Sequence, residues 1–470
     1  MTTNPSSLFR NSSYSLAILL LSVAVSASQI PHQANRLPPA DTVRLKLALD
    51  AYDRGDAAQA EPVLKELALK YPHSYVANEA LGSLYAEAGN MDGATVYLTK
   101  SIRITPSEPL AHANLGAVYL KQNRVADAVR ELRTAARLGP NNAATQVSLG
   151  KAEMLAGKPA VAAVSFDLAA SLSPADPELL YNLALALFNS MQSKRATEVL
   201  DRIPADSMTD EYHALAGDAA ERTGEFKAAL THMQAAAQLN PSAPNLFALD
   251  VELLRHWTWD EALSVSRYSA QQFPQDARFP LASVIALFAK GDYQTAAVEA
   301  SALLKANPDN NTYADLLGRS CGAAGEAAAP QCTQLETFAE AHPQNARIDV
   351  FAATAILERP VDHQDQATAQ QLLAKAVLAN PALPQAHYEL AVLAQQNSNW
   401  EQSRTELEKA IALQPDYAEA HYRLSRAYAH LGRRDDAKRE TELHQQYSDK
   451  QKDSLNARMQ EVMLFLLKPS

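Results

Sequence analysis

Cys321 and Cys332 are the two residues of this 470-residue chain best suited to covalent chemistry. Two readings of them stand side by side. One is a disulfide, open to an exported protein whose paired Cα atoms come within about 7 Å; the other is two unpaired buried thiols. The twelve histidines are dispersed, and no two sit three or four residues apart on one helix face, the spacing at which imidazoles share a metal ion. No nucleophile elbow, phosphate-cradling glycine loop or zinc-binding spacing occurs. Carboxylates are plentiful, but on helix exteriors they are solvated surface rather than acid–base pairs. These residues predict no enzyme, no metal and no cofactor, and leave binding as the chemistry to be positioned.

The elements that would position a binding surface announce themselves by period. Pro72, Pro106, Pro140 and Pro174 are spaced by 34 residues, and Ala60, Ala94, Ala128, Ala162 and Ala196 keep the same step. Ala229, Ala262 and Ala296 continue the ladder, as do Pro241, Pro274, Pro308, Pro343, Pro381 and Pro415. A recurring distance of this size marks stacked supersecondary units. Aromatic residues make up only 7% of the chain while apolar residues reach 47%, so summed propensity favours helices around a continuous core.

Within one unit the pattern has a physical logic. In "ALGSLYAEAGN", beginning at Ala80, Leu81, Gly82 and Tyr85 share a helical face. Gly82 removes a side chain where a second helix must come near, and Gly89 supplies the permissive backbone of a turn. Ala94 and Leu98 put a small and a large residue on the return helix, which Pro106 ends.

This arrangement resembles the tetratricopeptide repeat. "ANLGAVYLKQNRVADAVRELRTAARLGP" matches that family's pattern with Leu115, Gly116, Tyr119, Ala128, Leu132, Ala135 and Pro140. The resemblance covers residues 41 to 447 as about 11 to 12 units. It implies an all-α fold, a right-handed superhelical α-solenoid of stacked helix-turn-helix repeats, with Cys321 and Cys332 on neighbouring antiparallel helices of one unit. Residues 448–470, where Met459, Val462, Met463 and Leu466 recur at helical spacing, are expected to cap the open end. The alternative is insertion of "VMLFLL" into a membrane or a partner.

In this family the first helix of each unit lines an inner surface that holds peptides or partner helices. The resemblance maps that surface onto Glu79, Ser83 and Glu87, then Ala113, Ala117 and Lys121, then Lys151. It continues with Tyr181, Leu185, Phe188 and Asn189, with Tyr388, Val392 and Gln396, and with Tyr422, Arg426 and His430. The candidate partner-binding set is Tyr181, Leu185, Phe188, Asn189, Tyr388, Gln396, Tyr422, Arg426 and His430. Tyr181, Phe188, Tyr388 and Tyr422 either anchor a ligand side chain or pack against the adjacent repeat. Asn114 and Asn182 occupy one position of the family's carboxylate clamp, but Glu79, Ser83, Val147 and Lys151 do not complete its Lys and Asn set, so binding of a chaperone tail is not expected.

Several units depart from the pattern. "RIPADS" shortens the fifth, Trp257 and Trp259 crowd a turn in "RHWTWDEAL", Pro330 interrupts "GEAAAPQC", and "ERPVDHQDQ" lengthens a connection. These are contact loops or drift in tolerant ones.

The termini and the charge set the compartment. Arg10 precedes "SLAILLLSVAV" and then "SASQ", the pattern of a secretory signal peptide over residues 1–27, with a linker over 28–40. An uncleaved membrane anchor is the alternative. No later segment reaches the roughly 18 apolar residues of a membrane helix, so an exported chain, periplasmic or secreted, with no stable span after cleavage is expected. A net charge of -11 argues against nucleic acid as partner. The sequence thus predicts a non-catalytic bacterial scaffold that binds a protein or peptide. Its alternative is an enzyme or enzyme subunit holding a glycan or cell-wall fragment.

Overall fold

The computed structural model describes residues 37–357 and 363–453. Outside these lie the expected signal peptide, most of the linker, residues 454–470 of the expected cap, and part of "ERPVDHQDQ". The chain divides into two compact units that meet in sequence at Leu239 and Asn240.

The first unit holds six antiparallel helix pairs: α1 (Pro39–Asp53) with α2 (Ala57–Lys70), α3 (Tyr75–Glu87) with α4 (Met91–Ile104), α5 (Pro109–Lys121) with α6 (Val125–Leu138), α7 (Ala143–Leu155) with α8 (Pro159–Leu172), α9 (Pro177–Asn189) with α10 (Ser193–Leu200), and α11 (Asp210–Thr223) with α12 (Phe226–Leu239). The second unit holds α13 (Ala243–Arg255) with α14 (Trp259–Gln272), α15 (Arg278–Lys290) with α16 (Tyr293–Ala306), α17 (Asn311–Ala324) with α18 (Ala329–Cys332) and α19 (Gln334–Ala341), α20 (Ala346–Leu357) with α21 (His363–Ala379), α22 (Pro384–Gln396) with α23 (Trp400–Leu413), and α24 (Ala418–His430) with α25 (Arg434–Asp453). No strand occurs among the described residues. Within each unit a second helix packs on its own partner and on the first helix of the next pair. This is the all-α solenoid organisation that the period implies.

Small and large residues interlock where two helices of a pair cross. A Cβ added to Gly82 would lie 2.7 Å from Leu98 Cγ, and one added to Gly116 would lie 2.5 Å from Leu132 Cγ. Gly150 faces Phe166 and Gly217 faces Met233 in the same way. In all four pairs the partners are sixteen residues apart. Leu98, Leu132 and Phe166 are almost wholly buried, and each such side chain contributes about 1.5–3 kcal/mol through the apolar surface it hides.

Turns and starts repeat as faithfully. Asn90, Asn142 and Asn310 cap the helices that follow them by accepting a backbone N–H. Each turn inside a pair that falls among the described residues passes through a residue of positive φ. Glycine fills it at Gly89 and Gly224, with φ of 80° at both, but Met191 and Trp257 take φ of 65° and 67° at the corresponding places.

A polar side chain six residues after a ladder proline ties one repeat to the next. Asn78 and Gln146 donate to the carbonyls of Pro72 and Pro140. His112, His387 and His421 direct Nε2 at the carbonyls of Pro106, Pro381 and Pro415, and Nδ1 at Glu131, Glu406 and Glu440, each nineteen residues further on.

The departures seen in the sequence have visible effects. α10 has eight residues and is followed by a 3-10 turn at Ala205–Ser207, where "RIPADS" replaces a full second helix. Pro330 falls in the first turn of the short α18, because its ring has no N–H to give a helix interior. Cys321 of α17 and Cys332 of α18 are joined by a disulfide, with Cα atoms 5.9 Å apart. α25 runs unbroken past residue 447, where a separate cap was expected to begin. No described helix is long and apolar enough to cross a membrane.

Candidate partner-binding surface

The residues mapped onto the first helices fall into two groups, those consumed by neighbouring repeats and those left facing solvent. In the first unit most are consumed. Glu79 is buried, and its Oε1 accepts hydrogen bonds of 2.8 Å from both Ser83 and Asn114, the latter on the next repeat's α5. Burial pushes the Glu79 carboxyl upward, with those two bonds opposing. Ala113 and Ala117 are buried, and Lys151, also buried, reaches Glu178 of α9 at 3.0 Å. Glu87 and Lys121, at the ends of α3 and α5, are exposed.

On α9 the apolar positions serve packing. Leu185 and Phe188 are buried, and Tyr181 is half-buried against the same core cluster. The Arg222 guanidinium of α11 lies 3.6 Å from the Phe188 ring centroid, and its Nη1 donates to the Phe188 carbonyl at 3.0 Å. A cation held over a ring face in this way satisfies the ring's quadrupole internally. Asn189 is the exposed member of this group.

The second unit is arranged differently. Tyr388 of α22 is half-buried and stacked on Tyr417 at 5.0 Å, and its hydroxyl accepts from Arg423 Nε at 2.9 Å. Burial raises the Tyr388 hydroxyl pKa, and the charge of Arg423 works against that. Val392 is buried, while Gln396, at the end of α22, is exposed. On α24, Tyr422, Arg426 and His430 recur every fourth residue on one stripe, and all three are exposed. Tyr422 retains 48% of its surface. Arg426 makes no hydrogen bond or ion pair among the described residues. His430 stacks on Trp400, with ring centroids 3.7 Å apart and planes within 7°. The stripe therefore offers an aromatic face, a free guanidinium and a braced imidazole in one row.

Arg222, Arg423, Tyr417 and Trp400 were not singled out from the sequence, yet they decide which mapped positions are available. The signal for the arginines was the period itself, since Arg222 stands one repeat after Phe188 and Arg423 almost one repeat after Tyr388.

Two family models described as tetratricopeptide repeat match the chain, one over residues 45–109 and 388–438, the other over residues 85–149 and 153–219. No curated protein matches it. Among solved structures, Naa15/Naa10 bound to HypK-THB is 13% identical, with 86% of this chain and 68% of that one covered and a TM-score of 0.40. The pilF protein of Pseudomonas aeruginosa is 20% identical over 44% of this chain and 94% of its own, with a TM-score of 0.38. YrrB, described as a TPR protein with an unusual peptide-binding site, is 17% identical over 40% and 95%, with a TM-score of 0.37. The helix pairs, their small-against-large crossings and the two family matches together make this chain a tetratricopeptide repeat protein.

Proposed function

We propose that the chain is a non-catalytic interaction scaffold of the bacterial periplasm or cell envelope, holding a partner protein or peptide on the first helices of its repeats. Tetratricopeptide repeat proteins generally mediate protein–protein interaction. The observation that carries the reading here is the α24 stripe, in which Tyr422, Arg426 and His430 stand exposed in register. Tyr422 supplies a rigid anchor, Arg426 a cation for a carboxylate, and His430 a ring held by Trp400. Gln396 adds a hydrogen-bonding group on α22 of the same unit, and Asn189 offers one separately on α9 of the first unit. Leu185 and Phe188 support α9 from beneath within the first unit rather than touch a partner. The N-terminal segment with Arg10 and the Cys321–Cys332 bridge support an exported setting, because disulfides persist in oxidising compartments.

The test is cross-linked capture from envelope extract, comparing the wild type with Tyr422→Ala/Arg426→Ala. The wild type is expected to recover a defined partner and the double variant to lose it, each truncation costing about 1–2 kcal/mol. Recovery of the same partner in the same yield by both proteins would overturn the reading.

A further inference from the structure

A second surface lies on the opposite set of helices in the first unit. Between α6 and the α7–α8 turn runs an open groove of about 750 Å³ whose floor includes Val125, Val129 and Leu155. The charged residues lining it are Arg130, Arg133, Arg137 and Lys158, with no carboxylate among them. In a chain of net charge -11 this is a local reversal.

Two of the four cations are already spent. Arg130 pairs with Asp127 and Glu131, and Arg133 Nη2 sits 2.8 Å from the buried Glu153, which also accepts from Ser165 of α8. Arg137 and Lys158 are exposed, and their side chains make no hydrogen bond or ion pair among the described residues. One turn beyond Lys158 begins an apolar stripe on α8, Val161, Val164, Leu168 and Leu172, all on one side of the helix and all exposed, Val164 to 69%.

We infer that this groove and stripe form a docking surface for an acidic amphipathic helix of another protein. Arg137, in the last turn of α6, and Lys158, at the head of α8, are the two lining cations left to meet Glu side chains on such a helix. Its apolar face would cover Leu155 and the α8 stripe, in the helix-in-groove mode. The chain's own terminal segments do not fit the role: residues 1–36 contain no acidic side chain and residues 454–470 only Glu461. The surface lies mainly on second helices, with Leu155 from the end of α7, and uses none of the α24 stripe residues.

The test measures binding of two labelled synthetic helices of about 18 residues, one with Glu and one with Lys on the polar face, both with Leu on the other. The Glu peptide is expected to bind saturably and at least about tenfold tighter than the Lys peptide, with affinity falling as salt rises. Arg137→Glu/Lys158→Glu and Val164→Asp/Leu168→Asp should each weaken it about tenfold or more, while Tyr422→Ala/Arg426→Ala leaves it unchanged. Circular dichroism checks the fold, and Arg137→Ala/Lys158→Ala replaces the charge reversal if that variant does not fold. Equal affinity for both peptides, or binding untouched by the groove variants, would overturn the inference. So would capture by vesicles containing phosphatidylglycerol without peptide binding, or self-association through this face alone.

Discussion

The Nδ1 atoms of His213 and His232 lie 3.0 Å apart, across α11 and α12. The two stand nineteen residues apart, as His112 and Glu131, His387 and Glu406, and His421 and Glu440 do in other repeats. In this repeat a second imidazole takes the carboxylate's place. Only one proton fits between two ring nitrogens, so the pair is stable neutral and resists a second charge. Burial depresses the His213 pKa, with His232 adding to it; burial likewise depresses His232, against an opposing pull from Asp201. Tyr212 packs edge-on against both rings. His421 goes the other way: burial lowers it, but the Glu440 bond and the Pro415 carbonyl outweigh that and raise it.

The signs of these shifts give a first prediction. Groups with depressed folded values add stability that is complete above the ordinary imidazole value of 6.5 and is lost as pH falls below it. His232→Glu rebuilds the His–carboxylate pair, whose contribution grows on acidification. Between about pH 7.5 and pH 5.5 the variant should gain on the wild type by up to about 1 kcal/mol, since both rings are partly exposed. Urea unfolding at the two pH values reads the difference; identical pH profiles would show that the pair is not coupled to folding.

A second prediction concerns the crossing of α5 and α6. Gly116→Ala drives a methyl into Leu132, whose Cγ would be 2.5 Å away and whose backbone N would be 3.3 Å away. Leu132 is fully buried and has no room to swing aside. Overpacking of this kind costs about 1–3 kcal/mol. A thermal melt that moves by less than a degree would mean the two helices slide apart freely.

The turn before α14 gives a third. Trp257 holds φ of 67° where Gly89 and Gly224 hold 80°, and 44% of it is exposed. A left-handed non-glycine residue costs about 1–2 kcal/mol. Trp257→Gly should therefore raise stability by about 1 kcal/mol despite the freer unfolded chain, and denaturant midpoints measure it. A loss of stability instead would place the indole among the packing contacts that hold the turn.

Much of this was legible in the chain. Gly82 with Leu98 and Gly116 with Leu132 could be read as a crossing because one side chain is missing where another is large. The mapped surface was less legible. A helical repeat shows which face Phe188 occupies but not that Arg222, one repeat later, lies across its ring. Nor does it show that Tyr388 is braced by Arg423 and Tyr417 while Tyr422, packed on one side against His444, keeps about half its surface exposed. Availability depends on the rise and rotation from one pair to the next, which a one-dimensional period does not contain. The His–Glu ties escaped notice for a related reason, since nineteen residues is no helical interval and only the hairpin between helices brings the partners together.

The disulfide yields a fourth prediction. Cys321 and Cys332 stand eleven positions apart in sequence, and removing the link that closes so short a loop should cost about 2–3 kcal/mol through the freer unfolded chain. The effect should appear on adding reductant to the wild type and be absent in Cys321→Ser/Cys332→Ser, which starts from the lower value. The short α18 depends on this tether, because four residues carrying Pro330 make a poor helix alone. Wild-type unfolding unaffected by reductant would mean that the two thiols are not bridged.

Asp250 and Ser266 occupy the crossing of α13 and α14, sixteen residues apart, where other repeats place Gly and a large apolar residue. Asp250 Oδ2 is 2.7 Å from Ser266 Oγ, which also lies 2.9 Å from the Ala262 carbonyl, and Oδ1 has no partner among the described residues. A hydroxyl has one proton. The arrangement closes best with Asp250 protonated and donating to Ser266, which in turn donates to Ala262. Burial pushes the Asp250 pKa from 3.8 to about 7, with the Ser266 bond opposing. A folded value above the unfolded one means stability that is complete below 3.8 and drains away as pH rises to about 7. Asp250→Asn keeps a donor for Ser266 and has no proton to lose. It should therefore gain on the wild type by on the order of 1 kcal/mol for each pH unit across that window and by nothing further above it. Guanidinium unfolding at about pH 5, 7 and 8.5 resolves the shape of the curve. A constant difference at all three would show that Asp250 is ionised in the folded chain throughout, and that the crossing is held by the carboxylate.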